Sequence, residues 1–263
     1  MNDLFDIACN FTHESFEDDL EQVIDNGMSI GVSKFLVVAA ELDDANKIDK
    51  LITNHKDLLY FTTGVHPHHA KGFNDQSTER MRNLIKKYSP NALGEMGLDF
   101  FRNLSSHEEQ IFAFEEQIKL AIEFNKPLFL HQRDSHEPFI KLLNNYKTDI
   151  DKAVVHCFTG TQQELDEYLK CDFYIGLTGW ICDERRNKDL RSSIKNIPLN
   201  RLMLETDSPF LIPRNLSPKP KSNRNEPKNL MHIATEIAQL RNESVQEICN
   251  ATYRNSLDFF SQA

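Results

Sequence analysis

Histidine and carboxylate side chains follow several short apolar segments of this sequence. Residues 64–68 read GVHPH, residues 94–99 read GEMGLD, residues 128–131 read LFLH, residues 154–158 read VVHCF, and residues 204–209 read LETDSP. Two carboxylates and two histidines in these segments form a mixed oxygen and nitrogen donor set: Glu95, His131, His156 and Asp207. Such a set suits Mg²⁺, Mn²⁺ or Zn²⁺ and leaves coordination positions for water and substrate. The pattern therefore predicts a divalent metal site.

Each of these residues also has an ordinary structural explanation when it is taken alone. A histidine after an apolar strand, such as His131 or His156, is more often hydrogen-bonded within the fold than bound to a metal. Glu95 could lie at the surface or cap a helix, and Asp207 could cap the helix after it. Four such groups buried together without a metal would leave unpaired polar atoms, each costing roughly 1–3 kcal/mol. The combination therefore favours the metal site.

Eight short apolar or β-branched segments precede or contain these positions. They are residues 4–9, 34–40, 59–65, 92–96, 127–131, 153–156, 173–177 and 201–205. Helical patterns lie between them, for example at residues 108–124, and two more helices are predicted at 229–239 and 244–260. Eight strand–helix units imply parallel strands joined by crossover helices.

We therefore predict an α/β fold, a single (β/α)₈ TIM barrel over residues 1–263, in which the carboxyl ends of all strands meet at one rim. A doubly wound open sheet is the alternative, but it more often has five or six strands.

Composition limits the class of protein. The chain has 263 residues, and no apolar run approaches the roughly 20 residues of a membrane span, so no membrane partner is expected. The N-terminus has acidic residues and lacks the basic region of a signal peptide, and the five cysteines include no CxxC pair. A cytoplasmic location is expected. The net charge of −10 argues against bulk adhesion to nucleic acid, but not against a nucleic-acid enzyme with a locally basic rim.

Basic residues that follow the predicted strands would supply such a rim. These are Arg133, Arg185, Arg186, and, in or beside the long loop at residues 209–227, Arg214, Lys219, Lys221, Arg224 and Lys228. We predict that they contact phosphates, and the alternative is an ordinary solvated loop. Trp180 and Phe101 could stack on bases of a single strand, or could be core residues.

Seven motifs resemble the TatD family of metal-dependent deoxyribonucleases. They are GVHPH (64–68), GEMGLD (94–99), LHQRD (130–134), HCFTG (156–160), GWICDERR (179–186), ETDSP (205–209) and RNEP (224–227). They span nearly the whole chain in the family's order. The resemblance implies a (β/α)₈ barrel related to the amidohydrolases. It also implies that Glu95, His131, His156 and Asp207 bind metal, and that His66 lies beside them near the phosphate.

The first predicted strand departs from the family pattern. Most members carry Asp-x-His-x-His there, with both histidines on metal, whereas Ala8 and Asn10 occupy those positions here. The resemblance then implies a weakly held Mg²⁺, joined by a second ion with the substrate, and Asp6 and Asn10 as residues that orient water or contact metal. Glu205 lies two residues before Asp207, so it points to the same face and either supports the site or is a structural carboxylate.

The resemblance implies a monomeric Mg²⁺-dependent 3′–5′ exonuclease that cleaves single-stranded DNA, with RNA as a second substrate, in DNA repair or degradation. Asp207, Glu95 and His66 would be its catalytic residues, because a carboxylate such as Asp207 can bind metal or take the proton of the attacking water. Two alternatives stay open. One is a metal-dependent deacylase of mischarged tRNA. The other is a non-catalytic barrel, which the missing histidines on the first strand support and the intact set of Glu95, His131, His156 and Asp207 argues against.

Overall fold

Eight parallel strands form one sheet, and their order in the sheet follows their order in the chain. The computed structural model describes residues 3–185 and 187–261. The strands are β1 (Leu4–Cys9), β2 (Val32–Val37), β3 (Leu59–Thr63), β4 (Ala92–Asp99), β5 (Leu128–Arg133), β6 (Ala153–Val155), β7 (Tyr174–Leu177) and β8 (Leu202–Leu204). Each overlaps one predicted segment, so the predicted eight-stranded barrel is confirmed.

The barrel nearly closes where the chain leaves β8 and β1. Cys9 and Ser208 form a parallel bridge, and the backbone amide of Asn10 donates to the Ser208 carbonyl at 2.8 Å. The end of the first strand therefore lies beside the segment that follows the last one.

Helices connect the strands and pack around them. They are α1 (Leu20–Ser29), α2 (Asp44–Asn54), α3 (Asp75–Tyr88), α4 (His107–Glu123), α5 (His136–Asn145), α6 (Gln162–Lys170), α7 (Lys188–Ser193), α8 (Leu230–Arg241) and α9 (Val245–Phe260). Helices α4, α6 and α9 each begin with a capping box, in which a Ser or Thr hydroxyl and a Glu three residues later satisfy backbone amides. The helices predicted at residues 108–124, 229–239 and 244–260 are confirmed as α4, α8 and α9. Among the described residues, no helix combines the length and apolarity that a membrane crossing requires.

Successive side chains of each strand point to opposite faces of the sheet and so contribute to two apolar layers, one inside the barrel and one between the sheet and the helices. Phe129, Val154 and Met203 belong to a cluster inside the barrel, against which Phe259 and Phe260 of α9 also pack. Their neighbours along the chain belong to the larger layer between the sheet and the helices. Because successive strand residues point to opposite faces, every second residue after these lumen positions also points into the barrel.

Strand β4 changes register along its length, which determines where Glu95 points. Ala92 packs in the lumen cluster, whereas Met96 packs in the outer layer, although strict alternation would put both on one face. The pairing with β5 shifts between Leu93 and Met96. The shift turns Glu95 toward the barrel interior, where its carboxylate contacts histidines of the neighbouring strands.

Candidate metal centre

Strand periodicity places the predicted site residues at the carboxyl end of the barrel. His131 lies two residues after Phe129, His156 two after Val154, and Glu205 two after Met203. Each side chain therefore also points into the barrel, on the carboxyl side of the apolar cluster that contains Phe129, Val154 and Met203.

Glu95 lies at the centre of a group of imidazoles. Its Oε1 lies 2.8 Å from His131 Nδ1, 2.8 Å from His156 Nε2 and 3.3 Å from His66 Nε2. Glu95 and His156 are buried, and His66 and His131 are half-buried. The structure thus brings together three of the four predicted metal ligands, Glu95, His131 and His156, and adds His66, which was predicted to lie beside them.

The charges of this group stabilise one another. Burial alone would raise the pKa of Glu95, but His156, His66 and His131 more than offset that effect and hold its pKa well below the usual range. Burial would likewise lower the pKa of His156, but Glu95 and Glu205 raise it well above its usual value. A carboxylate among imidazoles is therefore ionised here.

His66 differs from the other two histidines in its protonation. Its Nδ1 accepts a hydrogen bond from the backbone amide of His68 at 3.0 Å, at the start of a short 3₁₀ turn. Burial lowers the pKa of His66 to about 4, so the ring is neutral near pH 7. With Nδ1 accepting, the ring proton belongs on Nε2, which makes Nε2 a donor toward the site.

The residues present fit a divalent cation. Ligand atoms of His66, Glu95 and His131 all lie within 4.8 Å of one another. Among the described residues, His131 Nε2, His156 Nδ1 and Glu205 Oε2 are buried side-chain atoms without a hydrogen-bond partner. Two of these atoms, His156 Nδ1 and Glu205 Oε2, lie 3.4 Å from each other. The support for a cation is therefore the donor chemistry of the cluster, whose imidazole nitrogen and carboxylate oxygen atoms suit a divalent ion.

Asp207 and Asp6 occupy the side of the mouth formed by β8 and β1. Asn10 Nδ2 donates to Asp207 Oδ1 at 3.1 Å, and burial raises the pKa of Asp207 to about 7 although the nearby His156 lowers it. Asp6 is fully buried and accepts from the amide and hydroxyl of Thr206, at 2.8 and 2.6 Å. Burial raises the pKa of Asp6 to about 7 as well.

Glu205 connects β8 to the histidine of β6. Its Oε1 accepts from the backbone amide of Cys157, and its Oε2 lies 3.4 Å from His156 Nδ1. Gly176 on β7 makes room for this carboxylate, because a Cβ at that position would lie 2.8 Å from Glu205 Oε1. Glu205 is thus packed against the predicted ligand His156.

Sequence reasoning missed two residues of the centre, His68 and Asp99. Asp99 Oδ2 lies 2.6 Å from His68 Nε2 and 3.6 Å from His131 Nε2. Burial would raise the pKa of Asp99, but His131, His68 and the backbone amide of Arg102 hold it well below its usual range. The available signal was the strand period, since Asp99 lies four residues after Glu95 and so on the same face.

The predicted phosphate-binding arginines fall into two groups. Arg185 pairs with Asp183 at 2.8 Å, and Arg224 pairs with both Asp19 and Glu226, at 2.7 and 2.9 Å. Arg133 and Arg214 are exposed. Arg186 lies outside the described residues. A phosphate would therefore compete with carboxylates of this chain at Arg185 and Arg224.

Comparison with known proteins identifies relatives over the whole chain. The family model described as TatD related DNase matches residues 5–261. A curated protein of Pantoea ananatis, "3′-5′ ssDNA/RNA exonuclease TatD", is 42% identical over 257 residues, which cover 98% of this chain and 99% of that protein. A solved TatD homologue from Escherichia coli K12 is 28% identical with a TM-score of 0.89, covering 99% of this chain and 98% of the other. A TatD family hydrolase from Entamoeba histolytica is 26% identical with a TM-score of 0.90, covering 98% of each chain.

Proposed function

The chain belongs to the TatD-related DNase family, and we propose that it is a metal-dependent exonuclease that hydrolyses single-stranded DNA and RNA from the 3′ end. The observation that carries the proposal is the convergence of His131 Nδ1 and His156 Nε2 on Glu95 Oε1, each at 2.8 Å. The name of the Pantoea ananatis relative describes the same activity. A role in DNA repair or degradation follows from it.

We assign the divalent ion to Glu95, His131 and His156, with Asp207 as a further ligand or as the proton acceptor. Our first choice is Mg²⁺, because Ala8 and Asn10 add no imidazole ligand and carboxylate oxygens suit this hard ion; Mn²⁺ and Zn²⁺ are the alternatives. When bound, the ion would offset the negative charge of the phosphate oxygens and make the attacking water more acidic.

Three side chains have chemical roles of their own in this proposal. Asp207, held by Asn10, accepts the proton of the attacking water. His66 donates from Nε2 to a phosphate oxygen, because its Nδ1 is occupied by the amide of His68. Asp6 keeps the backbone of Thr206 in place, next to Asp207, through two hydrogen bonds.

Phosphates beyond the cleaved bond are assigned to the exposed guanidinium groups of Arg133 and Arg214. We assign Arg185 and Arg224 only a secondary part, because each already binds carboxylates of this chain. The rim thereby supplies local positive charge to a protein whose net charge is −10.

We also propose that residues 1–263 form one domain that acts as a monomer in the cytoplasm. Among the described residues no cysteine forms a disulfide, which is the arrangement expected in a reducing compartment.

The test is digestion of a 5′-labelled single-stranded oligonucleotide by the wild-type protein with Mg²⁺, by the same protein with EDTA, and by Asp207→Asn. Asp18→Asn is the matched control, because Asp18 is exposed. We expect a ladder that shortens from the 3′ end with the wild type and the control, and its loss in the other two reactions. Absence of cleavage with every divalent ion would overturn the proposal and favour the deacylase, for which mischarged tRNA is the next substrate.

A further inference from the structure

Phe101 is exposed in the turn that follows the carboxyl end of β4. Its side chain is 58% exposed, the highest value among the large hydrophobic residues that are exposed in the described chain. It lies two residues after Asp99, whose carboxylate contacts His68 and approaches His131. The ring is therefore presented at the mouth of the barrel.

The turn that carries Phe101 is anchored to the site. Asp99 Oδ1 accepts from the backbone amide of Arg102 at 2.8 Å, and the amide of Asn103 donates to the Asp99 carbonyl at 3.3 Å. The amide of Phe100 donates to the carbonyl of Arg133 at 3.0 Å. Hydrogen bonds on both sides of Phe101 thus hold the backbone of this turn against Asp99 and the end of β5.

One face of this ring is already occupied by a cation. The Arg133 guanidinium carbon lies 3.9 Å from the ring centroid, in a cation–π contact. In the part of the chain that the structure describes, no carboxylate lies within ion-pair distance of Arg133, unlike Arg185 and Arg224. The pair therefore offers an aromatic face together with an unneutralised positive charge.

A second exposed ring lies across the mouth. Phe210, 47% exposed, follows the end of β8 and contacts His13 edge-on, with ring centroids 5.5 Å apart. In a barrel ordered β1 to β8, the β4–β5 edge and the β8–β1 edge are on opposite sides. Trp180, by contrast, is half-buried and packs against the core.

We propose that Phe101 with Arg133 forms a stacking site for a nucleobase next to the cleaved phosphate, and that Phe210 receives a base on the opposite side of the mouth. This inference rests on the proposed nuclease function and adds that the protein binds the bases of the substrate as well as its phosphates. Every base has an apolar π-face, so stacking binds a single strand independently of its sequence. The positive charge of Arg133 would also attract the adjacent phosphate. Paired bases in a duplex do not offer a free face, which favours single-stranded DNA or RNA.

The test is equilibrium binding of labelled oligothymidylate in EDTA, read by fluorescence anisotropy, so that cleavage is not required. We expect Phe101→Ala to weaken binding roughly 5- to 150-fold, the range for loss of one base–aromatic stack, and Phe210→Ala to do the same. Phe101→Trp should bind at least as tightly as the wild type. Phe112→Ala is the matched control, because Phe112 is 39% exposed on α4 and contacts Phe73 rather than the centre.

The same oligonucleotide with abasic residues separates stacking from other effects. We expect it to bind the wild type and Phe101→Ala equally, and more weakly than oligothymidylate binds the wild type. Equal losses on both ligands, or no loss with Phe101→Ala, would overturn the proposal. An oligouridylate arm compares RNA with DNA. Failure of the nuclease function would appear separately, as absent cleavage with divalent ions while the binding differences persist.

Discussion

The two sides of the barrel mouth contain buried carboxyl groups in opposite states. On the β3–β6 side, Glu95 faces three imidazoles, which hold its pKa well below the usual range against the effect of burial. On the β8–β1 side, burial raises the pKa of Asp6 and of Asp207 to about 7, and their hydrogen-bonding neighbours are an amide, a hydroxyl and backbone groups. Burial is common to both, so the balance of charged neighbours decides the direction of the shift. Glu95 has three imidazoles, whereas for Asp207 the effect of His156 is opposed by Glu95 and Glu205.

This difference suggests a division of labour. A carboxylate that stays ionised among imidazoles suits a cation ligand, and a carboxyl group that takes up a proton near neutral pH suits proton transfer. Glu205 joins the two sides, because it follows β8 but contacts His156 of the other side. The predictions below test this division.

The largest effect is expected from Glu95→Gln, which removes the negative charge on which the imidazoles converge. We expect kcat/KM for oligonucleotide cleavage to fall roughly a thousandfold, because a metal ion supplies several kcal/mol of transition-state stabilisation. Calorimetric titration should show weaker binding of Mn²⁺ or Mg²⁺. Glu41→Gln is the matched control, since Glu41 is 52% exposed after β2. Near-wild-type activity in Glu95→Gln would show that the β3–β6 side is not part of the catalytic centre.

A smaller effect is expected from Glu205→Gln, which keeps the shape of the side chain but removes its charge beside His156. Partners that orient a metal-binding histidine typically contribute 10- to 100-fold in metal affinity or activity, and we expect a loss of roughly that size. Gly176→Ala should produce a similar loss by pushing the Glu205 carboxylate, since the added Cβ would lie 2.8 Å from Oε1. Reduced stability with unchanged metal affinity would mean that Glu205 is structural only.

Most of the β3–β6 side could be predicted from the sequence, because each ligand lies at or near the end of an apolar segment. His131 and His156 continue the alternation of Phe129 and Val154, so strand periodicity alone points them into the barrel. Glu95 was predicted from its type and its place near a strand end, but its direction could not be predicted, because the register shift in β4 reverses the face that alternation predicts. Asp99 and His68 were missed because their contact depends on the three-dimensional meeting of β4 with the turn after β3.

The role of individual arginines could not be predicted from the sequence for a different reason. Arg133 ends β5 and Arg224 lies in the long loop after β8, but tertiary contacts decide which of them is paired with carboxylates. Arg224 is bound by Asp19, which lies 205 residues away in sequence. A pairing at that separation leaves no local pattern.

The pH dependence of stability tests the β8–β1 side. The folded pKa of Asp6, about 7, exceeds the ordinary aspartate value of 3.8, so protonated Asp6 stabilises the fold at low pH and this contribution is lost as pH rises through about 7. In EDTA, the unfolding free energy of wild type minus that of Asp6→Asn should fall by about 1.4 kcal/mol per pH unit between pH 4 and 7. Urea titrations at several pH values measure it.

Thr206→Val sharpens this test, because the lost hydroxyl donates to Asp6 and lowers its pKa. In this variant the pKa of Asp6 should be higher, so the unfolding free energy should continue to fall up to a higher pH than in the wild type. A wild-type-minus-variant difference that stays constant from pH 4 to 7 would mean that Asp6 is ionised in the fold, like Glu95, and the contrast between the two sides would disappear.

The smallest effect concerns the arginines around the two sides. Arg133→Gln should reduce the slope of log binding constant against log salt concentration by about 0.7 for a single strand, because one phosphate contact is lost. Arg224→Gln should change that slope less than Arg133→Gln does and should lower the urea midpoint, because Arg224 holds Asp19 and Glu226 together and donates to the carbonyl of Ser15. The reverse result, with an altered slope for Arg224→Gln only, would move the path of the nucleic acid strand from the β4–β5 edge to the loop after β8.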